Sequence, residues 1–398
     1  MKFNILLPIM LVTPGFAGAD NIPGKEEMWQ IIQQQQQEID ALKSGQKANT
    51  EKVEAAVDVA EQSNSAVAKA ASWAENTQVG GYGELHYNNL DTRNGRDKEI
   101  DFHRFVLFFG HQFTDSLRFA SEVEIEHIIA GDGKNGEAEV EQAYIEYDIN
   151  GRLHARGGVF LVPVGILNET HEPTTFYGVE RNPIEKNIIP TTWWAGGVGL
   201  TGEVGNGFSF DTGIHEGLKT TASNNFAVRS GRQKTSEADA HDLAATGRLK
   251  WTGMPGVELA ATLQYQQDIT QGDNASAGNA WLYEMHAAIQ RGAFGLRALY
   301  ARWDLDGSAP KAAGADKQTG FYIEPSFKVT PKLGIFARYN RWDNQAGNSS
   351  DSEMKQYIAG LNYWLHPDIV LKADYQIQDN ADSRTEKNGF NLGIGYQF

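Results

Sequence analysis

Two periods divide this chain. Up to about residue 76, apolar positions recur at spacings of mostly three and four; beyond it, apolar and polar residues alternate one by one. The final stretch shows the second pattern plainly. Phe390, Leu392, Ile394, Tyr396 and Phe398 alternate with Asn391, Gly393, Gly395 and Gln397. Side chains of a strand point alternately to opposite faces, so this segment has one apolar face and one small or polar face. Val257, Leu259, Ala261, Leu263 and Tyr265 repeat the pattern, as do Leu243, Ala245, Gly247, Leu249 and Trp251, and Ile369, Leu371, Ala373, Tyr375 and Ile377. Such reading predicts strands centred near Gly83, Val106, Val123, Ala143, Val159, Leu200, Phe210, Gly247, Ala261, Met285, Leu296, Ile323, Ala337, Ala359, Ala373 and Ile394. Tight turns at 113–116, 253–256, 329–332 and 366–368 alternate with longer polar connections at 88–99, 217–240, 267–279, 304–318, 343–353 and 378–388. Short turns on one rim and long loops on the other predict an all-β fold, a 16-stranded antiparallel transmembrane β-barrel over 78–398.

The earlier period predicts a helix. Met28, Ile32, Gln35, Ile39, Leu42, Gln46, Asn49, Val53, Ala56, Ala60, Ser63, Val67, Ala70 and Ala74 trace a heptad seam without proline. The stripe is too thin for a stable lone helix, which leaves a self-associating coiled coil over 20–77 or a solvated spacer. Ahead of it, Lys2, the apolar run 5–12 and Ala17-Gly18-Ala19 have the form of an export signal, cleaved after Ala19. Export and a barrel together place the chain in the outer membrane, with the helix on the periplasmic side.

Composition narrows the chemistry. The 398 residues contain no cysteine, which excludes disulfides and thiolate metal sites. A net charge of −16 argues against nucleic-acid partners. With the apolar face on lipid, the other face lines a lumen, where charge is tolerated. It carries Arg104, Arg118, Arg156, Arg248, Arg297, Arg338 and Lys372 among Glu122, Glu124, Glu126, Glu139, Glu141, Glu258 and Asp374. Paired charges in a wet interior and a solute-selecting ladder both fit that wall. Residues 163–196 form a long connection after the fifth strand, rich in aliphatic and aromatic residues that need a packing surface. Folded inward, it would narrow the pore and bring Glu169, His171, Glu172, Glu180, Arg181, Glu185 and Lys186 to a constriction. Left outside, it would serve subunit contacts.

The runs Gly157-Gly158-Val159-Phe160-Leu161-Val162-Pro163-Val164-Gly165, His171-Glu172-Pro173 and Val179-Glu180-Arg181-Asn182-Pro183 resemble the phosphate-selective porin O/P family. Phe102-His103-Arg104-Phe105 and Glu141-Gln142-Ala143-Tyr144-Ile145-Glu146-Tyr147 extend the resemblance, and Phe398 is similar to the terminal outer-membrane assembly signal. The resemblance implies a homotrimer of pores and passive diffusion of small hydrophilic solutes, often anions such as phosphate. It also implies contact with lipid, lipopolysaccharide and the assembly machinery. Residues 80–398 carry 29 Lys and Arg against 41 Asp and Glu, a net of −12. The wall's average charge therefore leaves a general or cation-preferring pore, with its helix tethered to the cell wall, beside the anion-type reading.

Motifs for catalysis are missing from the sequence. His171-Glu172 has no second histidine at metalloprotease spacing, and no phosphate-cradling glycine loop precedes a Lys-Ser or Lys-Thr pair. The expectation is no cofactor and no metal; a barrel hydrolase remains a remote alternative.

Overall fold

The computed structural model describes residues 25–92, 95–129, 131, 133, 136–382 and 385–398. The expected export signal and its cleavage site lie outside the described residues. The chain divides at Trp73/Ala74 into two units. The first is built on one helix, α1 (Lys25–Glu75). Its long run of Ala, Gln, Glu and Lys, free of proline, suits a continuous helix. Within this single chain, Ile32, Ile39, Leu42 and Val53 of the seam are exposed.

The second unit is a closed antiparallel barrel of sixteen strands, each paired to its chain neighbours and the last to the first. They are β1 (Thr77–Thr92), β2 (Gly95–Thr114), β3 (Leu117–Glu126), β4 (Ala138–Asn150), β5 (Leu153–Leu161), β6 (Trp194–Gly205), β7 (Phe208–His215), β8 (Ala244–Met254), β9 (Val257–Gln266), β10 (Ala280–Arg291), β11 (Phe294–Leu305), β12 (Lys317–Lys328), β13 (Leu333–Asp343), β14 (Met354–His366), β15 (Ile369–Asn380) and β16 (Asn388–Gln397). Every centre expected from the alternation falls in its own strand. One expected loop is corrected: 88–99 is mostly ladder, with pairs running from Asn88↔Glu99 to Thr92↔Gly95. Backbone pairing continues there although both faces are polar, so hydropathy alone cannot register it.

No described helix is long and apolar enough to cross a membrane. Leu259, Leu263, Tyr357, Leu361, Tyr375, Ile377 and Leu392 stand exposed on the outer face, while Thr262, Gln264, Asp374, Gln376 and Asn391 are buried on the inner one. Such a division is what lipid outside and a polar lumen inside require.

The 162–193 connection between β5 and β6 folds into this lumen. Its base is stapled by Asn168, whose Nδ2 donates to Val162 O (2.8 Å) and Trp193 O (2.9 Å) while Oδ1 accepts from Trp193 N–H (2.7 Å). Val162, Val164, Ile166, Ile184, Ile188, Ile189 and Trp193 share one apolar cluster with Leu282, Leu299, Ala301, Trp303 and Tyr322 of the inner wall. These five wall residues make an apolar stretch on the inner face of β10 to β12, and that is where the loop docks. Glycines let it approach closely. A Cβ at Gly395 would lie 2.3 Å from Pro173 Cβ, and one at Gly334 would lie 2.2 Å from the Tyr177 hydroxyl.

Candidate pore constriction

The expected cationic wall is present but largely neutralised. Arg104 lies between Glu84 (2.7 Å) and Glu124 (3.3 Å), Arg338 pairs with Glu324 (2.9 Å), and Arg248 holds Asp211 (2.7 Å) and Glu169. Arg118 pairs with Glu146 and Asp148. Arg297 donates to Thr175 O of the inner loop (2.8 Å), and Arg156 lies over the Phe160 ring. Glu122 accepts from Gln142 (2.6 Å) and approaches His171 Nε2 (3.3 Å). These groups position the loop and balance one another.

The expected constriction residues separate into two sets. His171 is buried between Glu122 and Glu141, and Glu185 is fully buried. Glu185 Oε1 accepts the N–H groups of Ile166 and Leu167 (both 2.6 Å); its Oε2 accepts from Asn182 Nδ2 (2.9 Å) and the Tyr322 hydroxyl (3.1 Å). Glu185 thus folds the loop and does not face open space, a placement that differs from the sequence expectation. Its carboxylate satisfies the buried turn at Ile166 and Leu167, while in the short helix α2 (Ile184–Asn187) its own N–H donates to Asn182 Oδ1 (2.9 Å). Glu169 is turned toward Arg248, and Glu172 is half-buried near the Thr175 turn.

Glu180, Arg181 and Lys186 line a cavity of about 710 Å³ on the long-loop side. Glu180 is engaged by His86 (3.0 Å) and Asn88 (3.1 Å). Into the same cavity the 217–243 connection sends Arg229, Arg232 and Lys234. Three arginines converge on one dipeptide: Arg181 donates to Thr192 Oγ1 (2.7 Å), Arg229 to Thr191 O, and Arg232 to Thr192 O. None of Arg181, Lys186, Arg229 and Arg232 forms an ion pair among the described residues, whereas Lys234 pairs with Glu137 (2.8 Å) and Glu139. Arg181 Nε and Nη2 and Arg232 Nε are buried without an acceptor. Burial, then the like charges of Arg232 and Arg181, push Arg229 below its ordinary range. Burial likewise lowers Lys186, against the pull of Glu180 and with Arg229, Arg181 and Lys387 reinforcing it.

Sequence reasoning missed Arg229 and Arg232 because 217–240 reads as a polar external connection. A signal was there: Leu218, Phe226 and Val228 are apolar residues in that stretch, and they are buried with the inner loop.

A model of the family described as phosphate-selective porin O and P matches residues 79–398. An uncharacterised protein of Aquifex aeolicus is 33% identical over 350 residues, 80% of this chain and 79% of that protein. Among solved structures, an anion-selective porin from Comamonas acidovorans superimposes with TM-score 0.59 at 14% identity, covering 81% of this chain and 99% of that one. The trimer form of OmpT from Vibrio cholerae gives TM-score 0.54 at 13% identity, covering 81% and 99%.

Proposed function

We propose an anion-selecting pore for this chain, which belongs to the phosphate-selective porin O and P family. Family and fold make it an outer-membrane channel. The finer reading is passive diffusion of small anions of the phosphate class, filtered at Arg181, Lys186, Arg229 and Arg232. One observation carries it: four cations line one cavity, and among the described residues none of them has a carboxylate within ion-pair distance. In a narrow passage the local sign of charge decides which ion enters, not the net charge of the barrel. Carboxylates elsewhere on the wall hold Arg104, Arg118, Arg248 and Arg338.

Other assignments follow from the same reading. The chain needs no cofactor or covalent chemistry. It works as a homotrimer in contact with lipid and lipopolysaccharide, and Phe398 serves its assembly. Helix α1 is a periplasmic coiled coil.

The test is the reversal potential of the purified protein in planar bilayers across a KCl gradient. The expected result is anion preference, lost or inverted in R229A/R232A. Cation preference in the unaltered protein would overturn the proposal and assign the passage to the acidic side of the cavity, where Glu99, Asp101 and Glu126 lie.

A further inference from the structure

Away from the arginines, the same cavity holds a cluster that the anion filter does not use. Asp101, His103 and His127 bring one ligand atom each to within 4.8 Å of one another. Their placement has a local cause. The β1–β2 register shifts between Glu84 and Leu85, where Arg104 and Phe102 are the partners, so His103 is the extra residue of a bulge. A bulge re-aims side chains, and here both His103 and Arg104 border the cavity, with Asp101 two positions earlier on the same side. His127 follows the end of β3. Its N–H bonds to His103 O (3.1 Å), and its backbone is left-handed, with φ 49°. The two imidazoles are therefore set against each other by backbone pairing.

We propose that Asp101, His103 and His127 bind a divalent first-row transition ion of the zinc class at the mouth of the pore. His103 Nδ1 lies 3.1 Å from Asp101 Oδ2, and His127 Nδ1 lies 2.9 Å from the same oxygen. Ligands about 2.0–2.1 Å from a tetrahedral ion stand about 3.3 Å apart, so small side-chain adjustments open this triad to fit one. Two imidazoles and one carboxylate are a donor set for zinc, nickel or copper and a poor one for magnesium or calcium. The triad is also reachable, with side chains 17%, 24% and 40% exposed at Asp101, His103 and His127. A fourth position would remain open to the cavity.

The surroundings support the site. The His86 ring stacks on His103 with centroids 4.7 Å apart, and both His86 nitrogens are held, by Glu84 (3.1 Å) and Glu180 (3.0 Å). His86 is a prop for His103 that reaches back to the inner loop through Glu180. Glu99 and Glu126 border the same cavity and add negative charge. By contrast, the Glu126, Glu137 and Glu139 cluster is engaged by Lys234, and in the Glu146, Asp148 and His154 cluster both carboxylates hold Arg118, so neither offers a free donor set. An ion in the triad would add positive charge to the cavity of Arg181, Lys186, Arg229 and Arg232, and so strengthen its preference for anions.

Calorimetric titration of the full-length protein in detergent with zinc chloride at neutral pH tests the site without reference to conduction. Saturable uptake of one ion per chain is expected, weakened about tenfold or more in D101N and in H103N/H127N, and unchanged in H154N. Magnesium chloride should give no saturable heat. No saturable zinc uptake by the unaltered protein, or the same affinity in D101N and H103N/H127N, overturns the proposal; heat-modifiability on gels establishes that each variant is assembled. Zinc on the long-loop side also shifts the reversal potential in the unaltered protein and not in H103N/H127N. A shift that persists in the double variant counts against it.

Discussion

At Glu185 a single carboxylate accepts two backbone N–H groups, an amide and a phenol, all out of reach of water. Removing it leaves the Ile166 and Leu167 N–H groups buried and unpaired, each costing about 1–3 kcal/mol. E185A is therefore expected to loosen the inner loop, which single-channel recording would show as higher and noisier conductance; a trace identical to the unaltered protein's refutes this role. Lys186, next in sequence, has the opposite task. Its charge faces the cavity, and burial with cationic neighbours has lowered its pKa below that of an ordinary lysine. A lowered pKa means that the charge is lost early as pH rises. Anion preference should begin to decline below the ordinary lysine range as pH rises, and K186R should reduce that decline because a guanidinium holds its proton to higher pH than an ammonium. Reversal potentials taken across that range decide it, and an equal decline in K186R would transfer the effect to another group. These two neighbours show where sequence stops informing about a site. Residue type marks both as charged loop positions, but only the fold tells which one lines the cavity beside three arginines and which one meets backbone N–H groups.

Among elements, the strands were legible and the loops were partly so. Alternation names a strand because each residue answers to lipid or lumen independently of distant contacts, and all sixteen centres were readable on that ground. The hairpin 88–99 was not, since both its faces meet water and the period-two signal fades while backbone pairing persists. The inner loop was legible as an apolar connection needing a surface, yet its seat was written elsewhere, in the inward apolar residues of β10 to β12 and in the inward glycines. Gly393 and Gly395 of β16 illustrate this. In sequence they are small residues on a polar face; in the fold they give Val179 and Pro173 room. A methyl at Gly395 would stand 2.3 Å from Pro173, so either the loop or the strand must move. Overpacking of that kind costs about 1–3 kcal/mol. G395A is expected to push the loop toward the lumen and lower single-channel conductance, with G247A, where a Cβ meets nothing within 4 Å, as the matched control. Equal conductance of the two variants would show that the loop yields without entering the passage.

For the whole molecule, closure and association are separate questions. The barrel closes through β1 and β16, and the terminal residue takes part: Phe398 N–H donates to Gly81 O and Gly81 N–H to Phe398 O, both at 2.9 Å, with the Phe398 ring near Phe105. F398S keeps those backbone bonds but removes an exposed apolar ring from the lipid face. Reduced yield of assembled protein in the membrane is expected, and normal yield would sink both the assembly role and its lipid-facing rationale. Closure in this way leaves no open sheet edge in the barrel. Helix α1 presents the reverse case. Ile32, Ile39, Leu42 and Val53 are exposed along one seam, and a helix with so thin an apolar stripe gains stability by burying it against like helices. Deleting residues 25–73 should then leave the conductance and ion preference of each pore unchanged, while the oligomer dissociates at lower temperature or lower detergent concentration. Light scattering and semi-native gels on heated samples measure the second effect, and bilayer recording measures the first. An oligomer as durable as the full-length one would remove self-association from α1 and leave it a spacer or tether. Loss of conduction would overturn the separation itself, because a pore that needs its helix is not closed by its strands alone.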